Sequence, residues 1–95
     1  MNTTKLTHLF RGVSREELKA ASTDAARALL GLHGADADTQ AFACRQLGNG
    51  STVDASIPPL VTRVMVACVQ STDAEALPAD RLVAAGHLAI SGFQA

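Results

Sequence analysis

The amino-acid sequence predicts an all-α protein, a compact bundle of four to five short helices that forms one domain over residues 1–95. Alanine, which loses no side-chain entropy in a helix, occurs eighteen times. Apolar residues recur at spacings of three and four, which is the period of a helix face. Capping residues, glycines and prolines stand where these stripes begin and end. The helices are expected at approximately residues 3–11, 14–33, 36–47, 58–71 and 78–91.

The helix at residues 14–33 has the most specific local signals. Ser14 and Glu17 have the spacing of a capping box, the arrangement that satisfies free backbone amides at a helix start. Gly34 is expected to end the helix. Its apolar stripe consists of Leu18, Ala21, Ala25, Leu29 and Leu32.

Two shorter helices are predicted on either side of this one. Residues 3–11 place three apolar side chains on one side and are followed by a glycine. Either Asp36 or Asp38 can cap the helix at residues 36–47, and a Gly-Asn-Gly segment ends it. Because no strand precedes that segment, residues 48–56 are predicted to form a loop rather than a hairpin.

The segment at residues 58–71 is compatible with two structures. Its many β-branched residues favour a strand, whereas Pro58 and Pro59 suit the first turn of a helix. No partner strand is evident, so a helix is predicted, and its apolar character makes it the expected centre of the bundle. Arg63 is its only charged residue and must therefore reach solvent or an acidic group.

Proline also marks the start of the last helix, at residues 78–91. Pro78 suits its first position, and Gly86 among small residues predicts close contact with a neighbouring helix. Just before it, Thr72 and Glu75 have the spacing of a second capping box, for at most a short helical turn.

Charge and hydropathy limit the functions that this chain can have. The net charge is −1, which gives no general attraction to nucleic acid or membranes. The longest apolar run, Val64 to Val69, is far too short to cross a membrane, and no export signal is recognisable. We therefore expect a soluble cytoplasmic protein with Cys44 and Cys68 as reduced, buried thiols. The abundance of alanine favours a bacterial or phage accessory protein.

No spacing of chemical groups predicts catalysis, a metal or a cofactor. No two of the histidines and cysteines have the short spacing that forms half of a zinc site. A pair of Cys68 with His87 is conceivable between adjacent helices, but nothing supplies an orienting acid or an oxyanion hole. No phosphate-binding loop is present. We expect a non-enzymatic protein with no catalytic, cofactor-binding or metal-binding residues.

Nucleic-acid binding is the alternative function. Arg15, Lys19 and Arg45 would provide the contacts of a small DNA- or RNA-binding regulator. Asp36 and Asp38 oppose this interpretation, because they would approach the phosphates at the start of the second helix.

An excess of apolar residues in the last two helices leads to the preferred hypothesis. There are more of them than one inward-facing stripe can hold, and surplus apolar surface is typical of an interface. The chain is therefore predicted to be a protein–protein interaction module, a small adaptor or inhibitor of another protein and possibly a homodimer. The residues predicted to bind the partner are Met65, Val66, Val69, Leu88, Ile90 and Phe93.

Overall fold

The computed structural model describes residues 9–91, and within them the chain forms four helices and no strand. The all-α class and the predicted helices at residues 14–33, 36–47, 58–71 and 78–91 are confirmed. Most of the predicted helix at residues 3–11 lies outside the described residues; residues 10–12 form a turn. The helices are α1 (Arg15–His33), α2 (Ala37–Gly48), α3 (Pro59–Gln70) and α4 (Pro78–Ser91).

Side-chain caps define where the first two helices begin. The Ser14 hydroxyl accepts a hydrogen bond from the backbone N–H of Glu17, with 3.1 Å between the two atoms. Asp36, rather than Asp38, caps α2, since its carboxylate accepts a hydrogen bond of 2.8 Å from the backbone N–H of Thr39. This bond lowers the pKa of Asp36, because it stabilises the charged carboxylate.

The segment that was compatible with helix or strand is a helix, α3. Pro58 is its N-cap and Pro59 its first residue, a position where a missing backbone N–H costs no hydrogen bond. Although α3 is the most apolar helix, α4 rather than α3 has the most extensive contacts with the other three helices. The buried side chains of α3 are Val61, Val64, Met65, Cys68 and Val69.

Small residues allow α1 and α4 to pack closely. Ala25 of α1 and Ala85 of α4 are fully buried, and α1 contacts α4 more extensively than any other pair of helices does. A Cβ atom added to Gly86 would lie only 2.8 Å from the Leu30 side chain. The predicted close approach at Gly86 is therefore present, with Leu30 of α1 as the neighbour. None of the helices in residues 9–91 has the length and apolarity that crossing a membrane requires.

Each of the first three helices has a carbonyl near its C-terminal end bonded by a side chain of the next helix. The Gln40 amide of α2 donates to the His33 carbonyl at the end of α1, over 2.6 Å. The Gln70 amide of α3 donates to the Gly48 carbonyl of α2, over 3.2 Å. Arg81 of α4 donates to a carbonyl of α3 in the same way. The helix ends are thus connected in chain order.

The two longer connections differ in how closely they follow the sequence prediction. Residues 49–58 form a loop, as expected, and Gly50 has a positive φ of 83°, a conformation that favours glycine. The predicted capping box of Thr72 and Glu75 is not formed. Instead the Thr72 hydroxyl donates to the Val69 carbonyl over 2.6 Å, and the backbone N–H of Glu75 bonds to Asp73. The prediction was wrong because Thr72 closes the end of α3.

Candidate interaction surface

An open groove of about 340 Å³ runs along the outer side of α3. One wall comes from the segment that precedes α1, and Gly50 lines the groove from the loop after α2. Val66 and Ala67 supply apolar surface from α3, and Leu9 supplies it from the opposite wall, with 60% of its surface exposed. The described residues that line the groove are Leu9, Phe10, Gly50, Thr62, Arg63, Val66, Ala67, Gln70 and Ser71.

A cation–π contact joins the two walls. The Arg63 guanidinium lies over the Phe10 ring, 5.0 Å from its centroid. Phe10 itself is buried and belongs to the hydrophobic core, which fixes the segment before α1 against α3. Arg63 reaches the surface, as the sequence required, but an aromatic ring and not an acid supports it there. No carboxylate within residues 9–91 forms a salt bridge with it.

The polar side chains of the groove already have partners within the chain. The hydroxyls of Thr62 and Thr52 are 3.3 Å apart and share a hydrogen bond. The Ser71 hydroxyl donates to the Ala67 carbonyl over 2.8 Å, and the Gln70 amide donates to α2. Among the described lining residues Arg63 is the one that brings a charge, and its guanidinium N–H groups can donate to a ligand.

The structure separates the six residues predicted to bind a partner. Met65 and Val69 are fully buried in the core, so they have no surface to offer. Val66 is half-buried and lines the groove, whereas Leu88 is half-buried on α4. Ile90 is 45% exposed near the end of α4. Phe93 lies outside the described residues.

Other large apolar side chains are exposed away from the groove. Leu77 is 70% exposed in the segment before α4. Phe42 of α2 is also exposed, and the Arg45 guanidinium lies 5.9 Å from its ring centroid. The chain therefore has a second arginine–phenylalanine pair, but its phenylalanine is on the surface, and neither residue lines the groove.

The three cations of the alternative prediction occupy two helices. Arg15 and Lys19 are exposed near the start of α1, and Arg45 is exposed near the end of α2. Apart from the pairing of Arg45 with Phe42, no described contact involves these side chains, and α1 contacts α2 less than it contacts α3 or α4.

Both cysteines are free thiols within the core. Burial raises the pKa of the Cys68 thiol to about 12. Burial also raises the pKa of Cys44, an effect that the positive charge of Arg81 partly offsets, and its thiol lies 3.5 Å from the Pro78 carbonyl. A thiol with a raised pKa holds little thiolate, the nucleophilic form, at neutral pH.

In residues 9–91, no three histidine, cysteine, aspartate or glutamate side chains come together in a group that could hold a metal ion. The groove has no such side chain among its described lining residues. The described lining of the groove is mainly apolar, with Arg63 as its one charged side chain.

Sequence reasoning missed Leu9, Phe10 and Arg63 as parts of one surface. The apolar pair at positions 9 and 10 and the single charge of α3 were visible, but each was explained within its own segment. No local pattern could reveal the contact between them, since 53 positions separate Phe10 from Arg63.

Comparisons with family models, curated proteins and solved structures find no match to this chain.

Proposed function

We propose that this chain is a non-enzymatic protein–protein interaction module, a small adaptor or inhibitor that binds another protein. The observation that carries the proposal is the open groove on α3, where Leu9, Val66 and Ala67 present apolar surface to solvent. Apolar surface of this kind gains free energy when a partner covers it, at roughly 25 cal/mol for each Å².

The composition of the groove favours binding over catalysis. Arg63 is its one ionisable side chain among the described residues, so the groove contains no acid–base pair. The hydroxyls of Thr62 and Ser71 are hydrogen-bonded within the chain, and no histidine lies among the described lining residues to activate them. A partner that presents apolar side chains suits this surface better than a substrate does.

Self-association is the second form of the proposal. A second copy also has an exposed apolar side chain, Ile90, that can cover the groove. We further propose that the protein acts in the cytoplasm of a bacterium or in a phage-infected cell. Its two free cysteines support a cytoplasmic location, because thiols are kept reduced there.

Site-specific photo-crosslinking tests the docking function. A photoreactive phenylalanine analogue replaces Leu9 in the full chain, inside the cells that naturally produce it. Leu77 is the matched control, since it is similarly exposed but lies outside the groove. We expect one dominant adduct with a different polypeptide from position 9 and none from position 77.

The mass of the adduct and the position from which it forms distinguish the other possibilities. An adduct of twice the mass of the chain would identify a second copy as the occupant of the groove. Equal labelling from positions 9 and 77, or no adduct from position 9, would contradict docking at this groove.

A further inference from the structure

The charge of Arg63 restricts what the groove can accept, and this inference rests on the proposed docking function. The guanidinium sits at the surface over Phe10, with no salt bridge to any residue in the described part of the chain. A partner that covers the groove must remove water from this cation. Without a compensating acceptor, that desolvation opposes binding.

We infer that the groove accepts an apolar segment of a different protein that carries an acidic side chain, Asp or Glu, opposite Arg63. Arginine presents several N–H donors in a planar fork that matches a carboxylate. The other polar side chains of the groove are bonded internally, so the carboxylate has one position where it is strongly favoured.

The geometry of α3 sets the spacing within the partner. Arg63 is three residues from Val66 and four from Ala67, so these side chains are neighbours on one helix face, about 5–6 Å apart. In a helical partner, the acidic residue then stands three or four positions from the aliphatic residue that contacts Val66. In an extended partner, the same separation corresponds to two positions.

Two other occupants fit less well. A second copy related by a two-fold axis through the groove would bring its own Arg63 close to the first, with no described carboxylate in the groove to compensate. A nucleic acid needs several cations along its phosphates, whereas the groove has one among its described residues.

A selection from a random peptide library displayed on phage tests the inference, with the full-length chain as the target. Peptides are retained if the Leu9→Gln variant weakens their binding and the Leu77→Gln variant does not. We expect the retained peptides to contain Asp or Glu at the stated spacing from an aliphatic residue. Their dissociation constants should rise about tenfold with Arg63→Gln, as for a charge-assisted hydrogen bond partly shielded from water.

Arg45→Gln is the matched control, because Arg45 also lies over a phenylalanine but outside the groove. It should leave the affinity unchanged. Exchanging the acidic residue of the peptide for its amide should weaken binding to the wild-type chain but not to Arg63→Gln. If the retained peptides lack a carboxylate, or bind Arg63→Gln as well as wild type, the acidic specificity is wrong and docking stands. If no peptide responds to Leu9→Gln, docking at the groove is itself wrong.

Discussion

Gly86 lies against the side chain of Leu30, and no larger residue fits there unless that side chain moves. A Cβ at position 86 would be 2.8 Å from Leu30 Cδ2 and 2.9 Å from Cγ. Leu30 is partly exposed and can rotate outward, but it then loses its contact with α4. The residue at position 86 is therefore determined by a neighbouring helix and not by the preference of α4, in which alanine is the better helix former.

This contact predicts that Gly86→Ala has different effects in two backgrounds. In the Leu30→Ala chain the substitution should stabilise the fold by about 0.5–1 kcal/mol, because only the helix preference remains. In the wild-type chain it should give no gain. Urea denaturation of the four proteins measures the difference.

Gly31→Ala serves as the control for Gly86→Ala. A Cβ at position 31 would meet nothing within 4 Å, so this substitution should stabilise both backgrounds equally. An identical effect of Gly86→Ala in the two backgrounds would rule out the steric explanation.

Cys68 links the stability of the core to pH. Its thiol has a pKa of about 12 in the fold, against 9.0 when unperturbed. Above pH 9 the unfolded chain loses this proton while the folded chain keeps it, so the free energy of unfolding falls as the pH rises towards 12. By pH 10 the loss should reach about 1 kcal/mol.

The Cys68→Ala variant isolates this contribution from that of the other titrating groups. Between pH 8 and pH 10, its free energy of unfolding should fall by about 1 kcal/mol less than that of the wild type. Urea denaturation at the two pH values gives both changes. Parallel pH profiles for the two proteins would contradict a raised pKa at Cys68.

At the scale of helices, Arg81 of α4 forms hydrogen bonds at the C-terminal end of α3. Its guanidinium donates to the Val69 carbonyl over 3.1 Å and to the Thr72 hydroxyl over 3.0 Å. The last carbonyls of a helix have no partner within it. The Val69 carbonyl accepts hydrogen bonds from the backbone N–H and the hydroxyl of Thr72, and Arg81 adds a charged donor from α4. A positive charge is also favourable at this end of a helix.

Replacing Arg81 with methionine should therefore destabilise the fold by about 1–3 kcal/mol, since two hydrogen bonds from a partly buried cation are lost. Chemical denaturation measures this change. Arg27→Met is the matched control, because Arg27 is exposed and only forms a 3.9 Å salt bridge with Asp24 on the same helix. Its effect should stay below about 0.5 kcal/mol. Equal effects of the two substitutions would show that capping by Arg81 contributes little.

Helix boundaries were predictable because their causes are local. Ser14, Asp36, Pro59 and Pro78 start helices through their own side chains or ring geometry, so the sequence nearby is sufficient. The prediction for Thr72 was wrong because its hydroxyl bonds to the preceding helix. The capping-box spacing considers only the residues that follow. The groove was beyond such rules, since its walls come from segments far apart in sequence.

At the scale of the whole molecule, the charged side chains within residues 9–91 are dispersed and form no basic face. Arg15 and Lys19 lie on α1 beside Glu16 and Glu17, which are also exposed. Arg45 belongs to another helix, and α2 begins with an acidic cap. A duplex or single strand of nucleic acid finds no continuous row of cations among the described residues.

We therefore expect no retention of DNA or RNA in a gel-shift experiment at low salt, even at micromolar protein. The Arg15→Gln/Lys19→Gln double variant provides the comparison. Retention by the wild type that the double variant loses would establish the nucleic-acid alternative instead. Retention that survives in the double variant would point to cations elsewhere.

The Gln70 amide connects the groove to the end of α2, so a bound partner should affect both. This side chain lines the groove and also holds the Gly48 carbonyl at the end of α2. A molecule that occupies the groove therefore contacts the side chain whose hydrogen bond holds the end of α2. Occupancy of the groove should therefore alter the hydrogen exchange of the backbone amides of Gly48 and Asn49, which are not among the described lining residues.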